Sequence, residues 1–320
     1  MSILTTATRM WLTRSTKPFL FQNEYDNRLP FDDCDKLGLY VHIPFCKKIC
    51  SFCPYCKTLY SRELCDKYLD ALLKEIHQVG SQYRGRKSAT SLYFGGGTPA
   101  LAADRLKEMV DAIQEHFILN EGIGIELHPD NVTPSVLWKL KEAGVTKISI
   151  GIQSFQEKFQ RMLGRTNELE VSSLGKTVSE IPFETVSMDF IFALPSQTFL
   201  DLKADLDTAF QHGANHVAIY PFIDFSFASA SIEPMSNREK RALLEAITCY
   251  CRERGYIRDS IWTFSKGGRA KYSSMTRDVF LGFGCSATTL LTDQFKINTF
   301  SVEEYCRRVS AGKLPTALTC

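Results

Sequence analysis

Four cysteines, Cys46, Cys50, Cys53 and Cys56, lie within a stretch of eleven residues, and the chain's other seven are scattered. Thiolates are soft ligands suited to zinc or to iron–sulfur clusters. A tetrahedral zinc site prefers two cysteine pairs brought together from distant loops. Here all four sit on one short segment whose core is Cys-x3-Cys-x2-Cys. If three of them bind the irons of a cubane cluster, one iron keeps an open coordination position, an arrangement for chemistry. The plainer alternative is a structural metal knot. A second motif, Gly95-Gly96-Gly97-Thr98-Pro99, favours chemistry. A glycine run after a strand permits close backbone approach by a ligand, because no Cβ intervenes.

Both motifs require strands to carry them. Leu37–Ile43, Ser91–Phe94, Gly122–Leu127, Lys147–Ile152, Thr185–Ala193 and His216–Pro221 are short runs rich in β-branched and aromatic residues. Several are apolar nearly throughout, as strands covered on both faces tend to be. Helical patterns fall between them, at Leu64–Val79, Ala103–Phe117, Pro134–Ala143, Gln156–Leu163, Asn167–Glu180 and Leu200–Gln211. This alternation predicts an α/β fold, a partial (β/α)6 TIM-like barrel of parallel strands with a short C-terminal extension. In such sheets the chemistry sits at the C-terminal strand ends, and every unusual motif of this chain falls at one. Past residue 235 the alternation stops: a helix, Asn237–Arg254, leads to a Gly- and Ser-containing stretch and a last helix near Val302–Ala311. The expected division is an N-terminal arm over 1–33, the barrel over 34–235 and the extension over 236–320.

Composition closes off other classes. Hydrophobic residues make up 44% of 320, ample for a large core, and 38 basic against 36 acidic residues leave a net charge of +2. Binding that rests on bulk charge is thereby excluded, so no nucleic acid is expected. No apolar stretch approaches the roughly 18 residues that span a bilayer, so no membrane is expected either. The first residues lack a continuous apolar segment for secretion. Reduced thiols in a cytoplasm then read as metal-binding, catalytic or merely buried. Arg9, Arg14 and Lys17, with no acid in the first 23 residues, weakly suggest an organelle transit peptide; a loose arm folded over the domain is the preferred reading.

The cysteine spacing is that of the radical S-adenosylmethionine (SAM) enzymes, and the surrounding segments resemble their HemN-like branch, typified by oxygen-independent coproporphyrinogen III oxidase. These segments are YVHIPFC, GGGTP, ELHPD, ISIGIQSF, Gly164-Arg165, MDFIFALPSQT and HVAIYPF, spread over residues 37–312. The resemblance implies that Cys46, Cys50 and Cys53 hold a [4Fe-4S] cluster and that SAM chelates the open iron. One electron would then split the sulfonium to give a 5′-deoxyadenosyl radical. It also implies that Gly96, Gly97 and Thr98 contact the methionyl end of SAM. Glu126, Gln153, Arg165 and Asp189 would hold the methionyl group and ribose, and Tyr40 and Phe52 would lie beside the cluster and adenine. A small-molecule substrate, a tetrapyrrole in particular, and a reductant such as flavodoxin or ferredoxin complete the implied set.

Two departures keep the reaction open. The oxidases carry a cysteine two positions after the third ligand, where this chain has Tyr55; its fourth cysteine is Cys56, a candidate for hydrogen-atom relay or substrate contact, as Tyr40 is for catalysis. The family's usual further helical domain is also not expected within these 320 residues. Oxidative decarboxylation, haem chaperoning and methylation with two SAM molecules therefore all remain. His42 reads as a group near the cluster or as a satisfied buried histidine. Lys266, Arg269 and Lys271 could receive substrate carboxylates, although a solvated basic loop explains them too. Cys34, Cys65, Cys249, Cys251, Cys285, Cys306 and Cys320 read as ordinary thiols.

Overall fold

The computed structural model describes residues 22, 27–165, 170–224, 232–267 and 279–320. The arm predicted over 1–33 therefore lies mostly outside the described residues, as do Arg269 and Lys271. Every predicted barrel strand forms: β1 (Leu37–Ile43), β2 (Leu92–Gly96), β3 (Ile123–Leu127), β4 (Val145–Gln153), β5 (Thr185–Phe192) and β6 (His216–Pro221). They pair parallel in that order. Crossovers run through α1 (Arg62–Gly80), α2 (Leu106–His116), α3 (Pro134–Glu142), α4 (Glu157–Met162), α5 (Val171–Glu180) and α6 (Phe199–Gln211). The entries to these helices are chemically marked. Ser61 accepts from Leu64 N–H to cap α1, and Thr198 with Asp201 forms a capping box on α6.

The sheet is larger than six strands. After α7 (Asn237–Glu253) the chain adds β7 (Tyr256–Arg258) and β8 (Thr263–Lys266), and β8 lies antiparallel beside β6. It then crosses to the far side, where β9 (Val279–Phe283) joins β1 as a seventh parallel strand. Antiparallel β10 (Thr288–Leu290), β11 (Phe295–Asn298) and β12 (Thr316–Thr319) follow, with α8 (Val302–Ser310) between the last two. The twelve strands form an open arc with β7 and β12 at its edges.

Alternation along each strand decides what the curved sheet presents on either face. On β4, Ile148, Ile150 and Ile152 enter the apolar core, which also takes Val186, Met188 and Phe190 of β5. The intervening Ser149 bonds Asp189 of β5, and Ser187 bonds His216 of β6, so these polar residues share the opposite, inner face. Among the described residues no helix is long and apolar enough to cross a membrane.

Candidate active site

The cysteine loop hangs from the C-terminal end of β1. Its base is a miniature parallel pair, Phe45–Cys46 against Thr58–Leu59. Thr58 N–H donates to Pro44 O at 2.7 Å and Tyr60 N–H to Cys46 O at 2.9 Å. The Lys57 ammonium closes back onto Cys53 O. Burial pushes the thiols of Cys46 and Cys53 up, a shift opposed by the Thr98 hydroxyl at 3.8 Å from Cys46 Sγ and by Lys57 near Cys53. Charge on Cys50 bears on both, and charge on Cys53 bears on Cys46. The three thiols therefore form one electrostatic group.

The glycine run packs against that loop. Gly97 N–H donates to Ile43 O at 2.8 Å and Thr98 N–H to Phe45 O at 2.7 Å. A Cβ on Gly97 would stand 2.6 Å from Phe45 O and 2.9 Å from Cys46 Sγ. One on Gly96, whose φ is +121°, would meet His42 Cε1 and Ile43 O at 2.8 Å. The expectation that these glycines clear space for a ligand is thus modified: the clearance is taken first by the neighbouring strand and the cysteine loop.

Across the inner face run half-buried polar groups. Glu126 accepts from Gly96 N–H at 3.1 Å and from the Tyr93 hydroxyl at 3.2 Å. Asp189 accepts from Ser149 at 2.7 Å and Ser187 at 2.9 Å. Burial, with Asp189 nearby, pushes the Glu126 carboxyl up to about 7; burial alone outweighs the two serines and takes Asp189 to about 6. Tyr40 is driven well above its ordinary value by burial and by Glu126. Its hydroxyl is hydrogen-bonded to His42 Nδ1 at 2.9 Å, and His42 Nε2 donates to Cys56 O at 3.2 Å. Burial holds that imidazole neutral, with its pKa down to about 4. Beside the loop a cavity of about 330 Å³ is lined by Lys48, Cys50, Thr98, His128, Asn131 and Arg165, among others. Arg165 donates to Gly151 O at 2.5 Å, while its buried Nε has no hydrogen-bond partner.

The profile of the Radical SAM superfamily matches residues 40–209, more than half of the chain and all of these groups. The chain belongs to the radical SAM superfamily. Among similar proteins, the heme chaperone HemW of Bacillus subtilis is 27% identical over 86% of this chain and 76% of its own length. The oxygen-independent coproporphyrinogen III oxidase of Escherichia coli is 27% identical over 85% of this chain and 65% of its own length. The solved structure of the Escherichia coli oxidase superposes with a TM-score of 0.78 at 25% identity, over 89% of this chain and 72% of that one.

Membership in the radical SAM superfamily brings two cofactors, a [4Fe-4S] cluster and SAM. The residues present fit them. One loop offers three thiols within electrostatic reach of one another, Arg165 keeps an unspent buried N–H beside Cys50, and two carboxyls wait near neutrality. Such carboxyls gain from an ammonium or a hydroxyl-bearing ligand. Gln153 takes φ +70° at the end of β4, and its Nε2 closes over Gly151 near the Arg165 guanidinium.

Phe52 and Cys56 each have defined surroundings. Phe52 packs against an apolar cluster of Phe159, Leu163, Ile191, Leu194 and Phe222. Cys56 turns from the other three cysteines toward the extension, donating to Phe300 O at 3.3 Å. Hydrogen bonds from the Cys285 thiol and Ser286 hydroxyl lower it to about 7.

Sequence reading also missed Tyr93, Ser149, Ser187 and His216. Their signal is strict alternation: Lys147, Ser149, Gly151 and Gln153 interleave with isoleucines, and His216 and Tyr220 repeat the phase on β6.

Proposed function

We propose that Cys46, Cys50 and Cys53 hold the [4Fe-4S] cluster of a radical SAM oxidoreductase that acts on a tetrapyrrole, with oxidative decarboxylation of a porphyrinogen the preferred reaction. Gly96, Gly97, Thr98, Glu126, Gln153, Arg165 and Asp189 hold SAM, with Tyr40 and Phe52 flanking it. The cofactors, when bound, supply one-electron cleavage of the sulfonium and a 5′-deoxyadenosyl radical. The protein's work is binding, orientation and shielding. Glu126, fixed by Gly96 N–H and Tyr93, presents its carboxyl to the amino group of the methionyl end. Asp189, fixed by two serines, presents its carboxyl to the ribose hydroxyls. The Tyr40–His42 pair fixes the floor beneath them and ties it to the Cys56 peptide.

The observation that carries this reading is the pair of buried carboxyls at the strand ends beside the coupled thiols. Haem carriage is the second reading, because the Bacillus subtilis chaperone aligns over 86% of this chain. The test is anaerobic purification with iron and sulfide analysis, followed by SAM turnover with coproporphyrinogen III and with haem. Substrate-dependent 5′-deoxyadenosine is expected with the porphyrinogen. Tight haem binding with negligible turnover selects the second reading. Cys53→Ala should abolish cluster and turnover, whereas Cys306→Ala leaves both near wild type. Zinc bound by sulfur at full occupancy in oxygen-free protein, or identical behaviour of the two variants, overturns the ligand assignment.

A further inference from the structure

Away from the strand ends, three metal-ligating side chains converge where α1 and α2 terminate. His77 lies in the last turn of α1, and Glu115 and His116 are the last two residues of α2. His77 Nδ1 is 3.1 Å from His116 Nε2 and 3.7 Å from a Glu115 carboxylate oxygen. The three ligand atoms all fall within 4.8 Å of one another. Zinc–nitrogen bonds of about 2.0–2.1 Å at tetrahedral angles set two ligand atoms about 3.3 Å apart, close to the spacing of these two imidazoles.

Three further features favour a cation. The carbonyl ends of two helices meet there, and the partial negative charge of each favours positive charge. Burial and the neighbouring His77 hold His116 below its ordinary pKa, so a ring lone pair is available at neutral pH. The position of that ring is also built in. A Cβ on Gly80 would stand 2.4 Å from His116 Cγ, so only glycine lets the imidazole seat against α1. The metal-free rings share one hydrogen bond; a bound ion would take both lone pairs, and that proton would move to the ring nitrogen facing away.

We propose that His77, Glu115 and His116 form a divalent transition-metal site of zinc type, separate from the cysteine loop, that pins the end of α1 to α2. Two imidazoles and one carboxylate suit zinc, leaving a fourth position to water. The role is mechanical: α1 also carries Tyr68 and Glu75, which bond the Gly284–Cys285 turn of the extension.

The test uses protein prepared anaerobically with its cluster in place, so that the loop thiols are occupied. Titration calorimetry with zinc should show one site per chain, weakened about tenfold or more in His77→Gln and in His116→Asn. The unfolding midpoint should rise by roughly 2–4 °C at a hundredfold excess over the wild-type Kd, and by about half that or less in either variant at the same zinc concentration. Zinc K-edge absorption should give nitrogen and oxygen near 2.0–2.1 Å with no sulfur shell near 2.3 Å. His116→Asn removes a packed ring and risks the fold, so His77→Gln, whose ring is half-exposed, is the decisive variant. An absent saturable heat, a sulfur shell, or an unchanged site in His77→Gln overturns the proposal.

Discussion

Two regions of the molecule bury carboxylates, and they do so to different ends. Glu75, in the middle of α1, has no exposed surface. It accepts from the Tyr305 hydroxyl at 2.6 Å, Gly284 N–H at 2.7 Å and Asn298 Nδ2 at 3.0 Å, with the buried Lys296 ammonium facing it. Both oxygens are used, and every partner belongs to the extension. Glu126 and Asp189 also use both oxygens, but each has two donors and no ammonium beside it. A carboxylate with three donors and a facing ammonium fastens two pieces of chain. A half-saturated one is held ready for a ligand that brings the missing donors.

The largest effect should come from the fastening site. Removing Glu75 leaves the Tyr305 hydroxyl, the Asn298 amide and the Gly284 N–H without their acceptor, and the buried Lys296 ammonium without its nearby countercharge. Loss of one partner of a buried network costs about 3–5 kcal/mol. Glu75→Ala should lower unfolding stability by that amount in denaturant titrations. SAM affinity of the molecules that remain folded should change less than about twofold. A near-neutral Glu75→Ala would erase the distinction between the regions.

Glu126→Gln should do the reverse. A charge-assisted hydrogen bond contributes about 1.5–3 kcal/mol, so SAM should bind about ten- to a hundredfold more weakly by calorimetry. Stability should not fall. With its pKa raised to about 7 in the folded protein, Glu126 binds its proton more tightly there than in the unfolded chain. The folded state therefore loses stability as pH rises from about 4.5 through 7, by roughly 3 kcal/mol in all for the cofactor-free protein. Glutamine does not titrate, so the variant should gain on wild type between pH 5 and 8. A variant that loses stability with rising pH as wild type does would show that Glu126 is not the group responsible.

The contrast between the regions also explains what is legible in sequence. The six strands and their crossovers are readable because Leu37–Ile43 or Val145–Gln153 repeats a local pattern, and the cysteines and GGGTP announce themselves by type and spacing. Glu126 and Asp189 interrupt apolar strands and stand out by resemblance. Glu75 is not readable: in Leu-Lys-Glu-Ile-His it looks like any solvated helix acid, and its partners lie more than 200 residues onward. β9 is hidden for the same reason. Val279–Phe283 is a strand because β1 offers it an edge, and five residues carry too little pattern to declare that alone. Local periodicity finds elements that stabilise themselves; pairing across the whole chain is decided by tertiary packing.

A smaller effect follows from the ligand-facing carboxyls. An ionised Glu126 is the form that meets an ammonium, so SAM affinity should be flat above about pH 7 and fall by up to about tenfold per unit below it. Asp189 adds to the loss near pH 6. Binding measured from pH 8 to 5.5 at constant ionic strength gives the profile, and a flat one excludes both carboxyls from SAM recognition.

The finest discrimination lies in Ser149. Its hydroxyl donates to Asp189 at 2.7 Å and favours the ionised carboxyl. One such bond contributes about 0.5–1.5 kcal/mol, or about 0.4–1.1 pKa units. Ser149→Ala should move the lower limb of the SAM pH profile upward by that amount, because Ser187 remains as the other donor. Its counterpart is Asn298→Ala, which removes one donor from Glu75 and should reduce stability by about 1–3 kcal/mol without moving the profile. If Ser149→Ala instead lowers stability as Asn298→Ala does and leaves the profile in place, Asp189 is another fastening group, and the inner face is left with Glu126 as its one ligand-facing carboxyl among the described residues.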